Sequence, residues 1–504
     1  MARSGVNIEE NRRTVREYER YKSNLKALKR KLNWLLFWRV ICCITVLLIP
    51  LVIWVLNPKI KARRQEISDA DQRVQALYAK ACAQMEPLCR LFDDRDALML
   101  IEKTVPGLVF APCFTAEQER DMQENYDFPG FSDRDEMAID VLAGRYNENP
   151  FVFEKRRLHR MGTETYHGYL TIHWTETYRD SKGNVRTRVR SQTLHASVVK
   201  PKPCYHTQLR LHYCAQGAPD LTYSREDTKL EDKSERAVER YVKKGEKKIK
   251  RKSEKAVRTG GEFVSMSNTE FEVLFGALDR SDEVQFRTLF TPLAQTNMVE
   301  LILDPDGYRD DFSFYKRKRT NVIVTQHSQG RPLSLSADRY RSHSFDLIKA
   351  SFISGNQSFF RQVYFDFAPL FAIPAYQERP VHSLKPLPDL SQRYSYKECE
   401  AMAERVPRGL AVHPATKTEA ILKSSYVASS GGADEIAVRA YSYDIAKRVD
   451  LVTVLGGDGR MHSVPVPWDE YLPLEHESRF LVGDRVMEGA DVMASHNGLY
   501  IYQS

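Results

Sequence analysis

The sequence predicts an α+β protein: an N-terminal single transmembrane helix with a helical stalk, then a mixed body of antiparallel sheet and segregated helices. Three observations lead there. Residues 34–56 are apolar apart from one charge, Arg39. Residues 165–213 alternate apolar and polar side chains, the period of a strand, and residues 268–303 space their apolar side chains three and four apart, the period of a helix. With 504 residues, 42% hydrophobic and 28% charged, the chain is neither a disordered polymer nor a disulfide-dense mini-protein. Its formal net charge of +8 is local. Residues 1–64 hold 15 Lys+Arg against 4 Asp+Glu, whereas residues 65–504 hold 60 against 63. A general nucleic-acid surface is therefore not expected.

Residues 1–33 form a basic juxtamembrane segment. From Ile8 it lacks Gly and Pro and is rich in helix formers. Basic residues this close to an anchor are drawn to anionic headgroups by about 1 kcal/mol each. Residues 34–56 (WLLFWRVICCITVLLIPLVIWVL) have the length that a hydrocarbon core demands, about 20 apolar residues at helical rise. Trp34, Trp38 and Trp54 fall near the ends, where aromatic rings favour the interface, and Arg39 is placed to snorkel outward. These four are the candidate membrane-interface residues. Seven Lys/Arg precede the run between Thr14 and Asn33, and five follow it between Asn57 and Leu77. That imbalance places the N-terminus inside. The six cysteines outside the run have no framework spacing, which suits a reducing compartment. The two cues conflict, and the cysteines tip the reading toward a cytoplasmic body on a cell membrane.

Residues 57–88 are the stalk. Ile60, Ile67, Val74, Ala81 and Leu88 recur every seven residues, and Pro87 should end the helix near Glu86. The same stripe fits packing against the chain's own domain or a homodimer through a short coiled coil.

Residues 89–224 read as an α+β domain with a β-meander. Two alternating runs, 165–178 and 185–199, flank the turn signal DSKGN, and pairing Arg179 with Val185 would set Glu176 opposite Arg188 and Trp174 opposite Arg190. A third strand is expected at 205–213. Residues 225–260 are a charged helix or linker, and 261–504 a second α+β domain. That domain has a helix capped by Asn268 or Thr269, a break or start at Pro292, strands over 312–325, and short strands at 434–442, 450–455 and 461–466 around the turns Ser430–Gly432 and Gly456–Gly459.

The segments Tyr166–Arg225, with His173-Trp174, Lys200 to Pro203 and Ala218-Pro219-Asp220, Asn268–Gln295 and Asp310–Arg319 resemble an uncharacterised membrane-anchored family of mollicutes and other low-GC Gram-positive bacteria, a domain of unknown function. The resemblance covers most of residues 90–500. It implies no activity, cofactor or catalytic residue.

No phosphate-binding, zinc-protease, thiol-redox or serine-hydrolase motif occurs. Arg186, Arg188 and Arg190 alternate, so they share one sheet face and form a candidate anion-binding set, blunted by Glu176. Cys204, His206, His212 and Cys214 have metal-ligand chemistry, but on one strand Cys204 and Cys214 stand on the order of 30 Å apart, so no metal is assigned. Asp304, Asp306, Asp310 and Asp311 surround Gly307 without the calcium-loop spacing. No cofactor is expected. The reading is a single-pass membrane-anchored interaction or scaffold protein, with membrane lipid and an unidentified protein as partners. The alternatives are a membrane-bound enzyme whose site gathers distant residues such as His173, His195 and Asp304, and an anionic-lipid-binding module.

Overall fold

The structure is a computed structural model and describes residues 5–44, 52–130, 133–179, 181, 183–228, 230, 233–260, 263–379, 394–430, 433–483, 491–496 and 499–503. It divides into two units, Met1–Thr104 with Ser334–Gln362, and Val105–Leu333 with Val363–Ser504.

In the first unit, α1 (Ile8–Ile44) and α2 (Asn57–Cys89) lie side by side, with a π-helical segment at Val52–Leu56 leading into α2. They run antiparallel. Asn11 Nδ2 donates to Ala81 O and Gln84 Oε1 at 3.4 Å, the Tyr18 and Tyr78 rings are 5.7 Å apart, and Lys29 Nζ stands 3.6 Å from Asp71. Their seam buries Tyr18, Leu25, Ile60, Ala81 and Met85. At its base Met85, Leu88 and Cys89 pack on Phe345 and Ile348 of α9 (Phe345–Phe371). Asn11 fixes that junction, accepting from Phe345 N and donating to His343 O, both at 3.0 Å.

Two expectations change here. Among the described residues no helix is long and apolar enough to cross a membrane. The run 34–56 is not one straight helix. Its first part ends α1, its last part leads into a helix that returns along α1, and residues 45–51 lie outside the described residues. Ile60 and Ala81 of the seven-residue stripe are buried where α2 lies along α1 of its own chain. The seam that the sequence offers to a second copy is thereby occupied.

The second unit holds two antiparallel sheets. The seven-stranded one has the order β1-β2-β3-β4-β7-β6-β5, from β1 (Leu108–Phe110), β2 (Glu136–Tyr146), β3 (Asn149–Arg179), β4 (Val185–Cys214), β5 (Thr222–Arg225), β6 (Phe312–Arg317) and β7 (Thr320–Thr325). The five-stranded one has the order β11-β12-β10-β9-β8, from β8 (Ile421–Ser430), β9 (Ala433–Leu455), β10 (Met461–Gly483), β11 (Val492–His496) and β12 (Leu499–Gln503). Helix α10 (Tyr396–Arg405) lies between them, against β2 on one side and β8 on the other. Its Cys399, Met402 and Ala403 join Ile421, Ile436 and Phe480 in one apolar cluster, and Ala401 joins Phe114, Ala138 and Val141 in another.

The hairpin register is the one the sequence predicts: Arg179 pairs with Val185, Glu176 with Arg188 and Trp174 with Arg190. The third strand at 205–213 is instead the continuation of β4, which runs unbroken through Pro201 and Pro203. A proline interrupts a ladder only where its N–H is needed, and both sit where the strand faces away from β3. The strands expected at 434–442 and 450–455 likewise merge into β9. The Gly456–Gly459 turn is present, with Gly459 at φ +76°, while residues 431–432 of the other turn lie outside the described residues. The charged segment is helix α5 (Glu235–Thr259), seated on α6 (Thr269–Phe275) through Gly245 and Val273, and strands from both sides of it share one sheet. It is therefore no domain boundary.

Beyond Leu158↔His206, β3 and β4 have no flanking strand among the described residues and project as a ribbon of about 20 residues, roughly 65 Å. The outer parts of β9 and β10 stack on it. Ile172, Leu194 and Ala196 meet Val464 and Val466 in the interior of this arm, with Tyr166, Leu170, Trp174, Val452 and Val454 around them. Gly168 allows the close approach, because a Cβ there would stand 2.2 Å from Pro465 O. Gly457 N donates to Gln192 Oε1 at 2.7 Å, and Lys200 lies 4.1 Å from the Trp468 ring, closing the arm from both sides.

Candidate functional site

The best-defined surface feature of the first unit is the end of its helical pair. Trp34 (63% exposed), Phe37 (60%), Trp38, Val40, Trp54 (83%) and Val55 leave their apolar faces uncovered. The Trp34 and Trp38 rings meet edge to face at 5.8 Å. Arg39, next to Trp38 in the chain, is exposed. The antiparallel pairing brings Trp34, Trp38 and Arg39, on α1, to the same end as Trp54, so the four predicted interface residues share one end rather than two. The flanking charges follow. From Arg20 to Arg64 there are eleven Lys/Arg and no Asp/Glu. Because both helices leave the apolar end in the same direction, the basic stretches before and after it form one collar.

In the second unit, Arg186, Arg188 and Arg190 lie near the tip of the arm, all exposed, on the face that further back packs on β10. Glu176 lies opposite Arg188 as predicted and pairs with Arg188 at 2.7 Å and with Arg190. Arg188 also covers Tyr178 at 5.1 Å. Carboxylate and ring thus already occupy part of this set, leaving a salt-bridged tip.

The other candidates do not converge. His173 and His195 sit on the outer face of the arm, where His195 Nε2 is 2.9 Å from His167 Nδ1. Asp304 follows α8 (Pro292–Leu303) and accepts from Asp306 N at 2.9 Å. Cys204 is exposed, while Cys214 is buried and its thiol pushed up to about 12 by that burial. Asp310 is taken by Arg225 and Thr228, and Asp311 by His327 at 2.5 Å. Among the described residues no group of three or more His, Cys, Asp or Glu is placed to hold a metal ion.

Sequence reasoning missed the densest chemistry, the charges around α10. Lys397 Nζ stands 2.9 Å from Glu154 Oε1, and His212 Nε2 stands 3.4 Å from Glu154 Oε2, all on nearly inaccessible side chains. Burial works against the Glu154 charge, yet Lys397 and His212 hold its carboxyl at about 2. Burial lowers His212. Glu119 is pushed up to about 7 by burial, against the pull of Lys397. Glu398 accepts from Phe114 N and contacts His496, both at 3.0 Å, and Glu400, one turn along from Lys397, pairs with Lys423 at 2.5 Å and accepts from Ala138 N at 2.7 Å. One short helix thus ties both sheets together through charge-assisted bonds. The sequence signal is a short helix, YKECEAMAER, in which Cys399, Met402 and Ala403 make an apolar face and five charged residues lie off it.

The cluster is sealed, and a roomier groove lies elsewhere. That groove, about 790 Å³, runs between α5 and the end of α8, with Leu230, Val238, Val242 and Ile302 on its walls and Lys233 and Glu239 at its rim. No family model matches the chain, and no curated protein or solved structure matches it.

Proposed function

We propose that the protein is an interaction protein held at a membrane surface by the apolar end of its helical pair, with the two-sheet body and its arm available to partners. The observation that carries this is the coincidence of three uncovered tryptophans, uncovered Phe37 and eleven Lys/Arg between Arg20 and Arg64, of which Lys29 pairs with Asp71 and Arg63 with Glu66, at one end of one helical pair. Tryptophan favours the headgroup region, and each basic residue close to anionic lipid adds about 1 kcal/mol. From Trp34 to Ile44 the helix rises about 16 Å, half of a hydrocarbon core about 30 Å thick. An antiparallel pair of that depth enters one leaflet and returns. Unequal basic flanks in the sequence then belong to one side of the bilayer, and the conflict over orientation disappears. The described cysteines are free thiols, the form that a reducing compartment maintains, which supports a cytoplasmic body. The resemblance to a membrane-anchored family points the same way.

Flotation with vesicles of phosphatidylcholine and phosphatidylglycerol, 3:1, tests the reading. The full chain should float at low salt, and a Trp34→Ser/Trp38→Ser/Trp54→Ser variant should lose most of that binding. A full chain that stays at the bottom of the gradient, or a triple variant that floats as well as the parent, overturns it.

A further inference from the structure

The arm carries four long strand edges, and the chain protects three of them. Prolines at 201 and 203 interrupt the free edge of β4, and prolines at 465, 467 and 473 that of β10. The outer stretch of β9 carries Lys447, Arg448 and Asp450. Edge prolines and charges are how sheets discourage addition of a further strand. The free edge of β3 from residue 161 to 179 has no proline, and from Thr165 to Thr175 no Asp, Glu, Lys or Arg. Its odd-numbered residues face outward. His159 N–H already leaves the hairpin to bond Asp135 O at 2.7 Å, and on β4 the odd Leu209, paired with Lys155, gives its N–H outward to Gln329. From Met161 to Arg179 the edge therefore offers ten backbone N–H and C=O pairs to a partner strand.

The sequence of that strand is the second observation. From the third to the seventh position on either side of Leu170 it repeats itself: His167 and His173, Tyr166 and Trp174, Thr165 and Thr175, Glu164 and Glu176, Thr163 and Thr177, whereas Tyr169 and Thr171, and Gly168 and Ile172, nearest the axis, differ. In an antiparallel pairing of two identical strands about Leu170, every one of these meets its like. Thr–Thr and aromatic–aromatic cross-strand pairs are favourable, each by roughly 0.2–1 kcal/mol. The Glu–Glu pairs are already neutralised within each chain, Glu164 by Lys202 at 2.9 Å and Glu176 by Arg188 at 2.7 Å.

We propose that two copies of this chain associate by pairing their β3 edges antiparallel, with the twofold axis at Leu170. The occupant of the edge is a second copy because the strand, turned about Leu170, sets like against like at five successive positions on either side of the axis. A symmetric contact of this kind closes as a dimer. The pairing does not rest on the membrane reading, since it uses the second unit alone.

The test is sedimentation equilibrium of the full chain in a neutral detergent at about 1–100 μM, with paired charges placed at the exposed Thr165 and Thr175. These two face each other across the proposed axis and lie opposite Val199 and Val189 within their own hairpin, so neither substitution disturbs the fold. The parent should be dimeric. Thr165→Lys/Thr175→Lys sets two lysine pairs across the axis and should weaken the dimer at least about tenfold. Thr165→Lys/Thr175→Glu sets two ion pairs and should return it to the parent's strength or better. Thr171→Pro, which removes an outward N–H as the chain's own edge prolines do, should give a monomer with an unchanged circular dichroism spectrum. A monomeric parent overturns the proposal. So does a Lys/Lys variant that dimerises like the parent, or a Lys/Glu variant as weak as Lys/Lys.

Discussion

Replacing Lys397 by Met asks whether the charges around α10 hold the two sheets together. In the parent, Lys397 Nζ lies 2.9 Å from Glu154 Oε1, with 5% and 3% of the two side chains accessible. Methionine keeps the length and removes the charge. Glu154 then stays behind with only His212, itself discouraged by burial from carrying a proton. The Glu154 carboxyl at about 2, against an ordinary 4.5, corresponds to about 3 kcal/mol of preference for its charged form in the fold. That agrees with the 3–5 kcal/mol typical of breaking a buried pair. Lys397→Met should therefore cost roughly 3 kcal/mol at pH 7, read from urea denaturation followed by far-ultraviolet circular dichroism. The sign with pH is fixed by the depressed carboxyl. Its contribution is complete above about pH 4.5 and is lost as pH falls toward 2, so the parent should lose stability over that range and the variant should lose less. Glu154→Gln/Lys397→Met, with no stranded charge, should recover part of the loss. A single variant within about 1 kcal/mol of the parent, or a double variant no better than the single, refutes the reasoning.

Three further outcomes are expected. Glu119, raised to about 7 by burial, destabilises the fold increasingly as pH rises from 4.5 to 7, so Glu119→Gln should gain about 2 kcal/mol at pH 8 and almost nothing at pH 4, seen as a pH-dependent difference in melting temperature. Lys316, buried over the Tyr376 ring with no hydrogen-bond partner for its Nζ among the described residues and lowered by that burial to about 7, costs stability at neutral pH that is recovered between pH 7 and 10.5. Lys316→Met should therefore stabilise by on the order of 3 kcal/mol at pH 7, and the advantage should shrink by pH 10. Gly168→Ala drives a methyl group into Pro465 O and Val466 Cα, backbone that cannot swing aside, and should loosen the arm by about 1–3 kcal/mol, visible as faster amide exchange in residues 449–467 while the sheets of the body keep their protection.

What the sequence discloses here depends on how local the determining interaction is. The pairing of Arg179 with Val185 is legible because two alternating runs flank a short turn, and the helix at Thr269 because Asn268 caps it by accepting from Phe271 N at 3.0 Å. Hydropathy identifies residues 34–56 as greasy, but their path is set by contacts such as Tyr18 on Tyr78, sixty residues apart, which no window along the chain contains. Pro201 and Pro203 read as breaks because composition does not tell which way a missing N–H faces. Lys397, Glu398 and Glu400 do not stand out in the sequence, since the partners that make them interior, Glu154, His496 and Lys423, come from three distant strands. The interface residues Trp34, Trp38, Arg39 and Trp54 are visible by type, and their convergence only in three dimensions.

The two layers of the arm come from opposite ends of the second unit. Residues 149–214 zip against each other as soon as they leave the ribosome, but Val464 and Val466, which cover Ile172, Leu194 and Ala196, are synthesised some 250 residues later. At roughly 5–20 residues per second, a nascent chain waits on the order of 12–50 s with that ribbon's greasy side bare. Throughout that interval the half-finished polypeptide is a ready substrate for chaperones, and for the same ribbon on the next chain of a polysome.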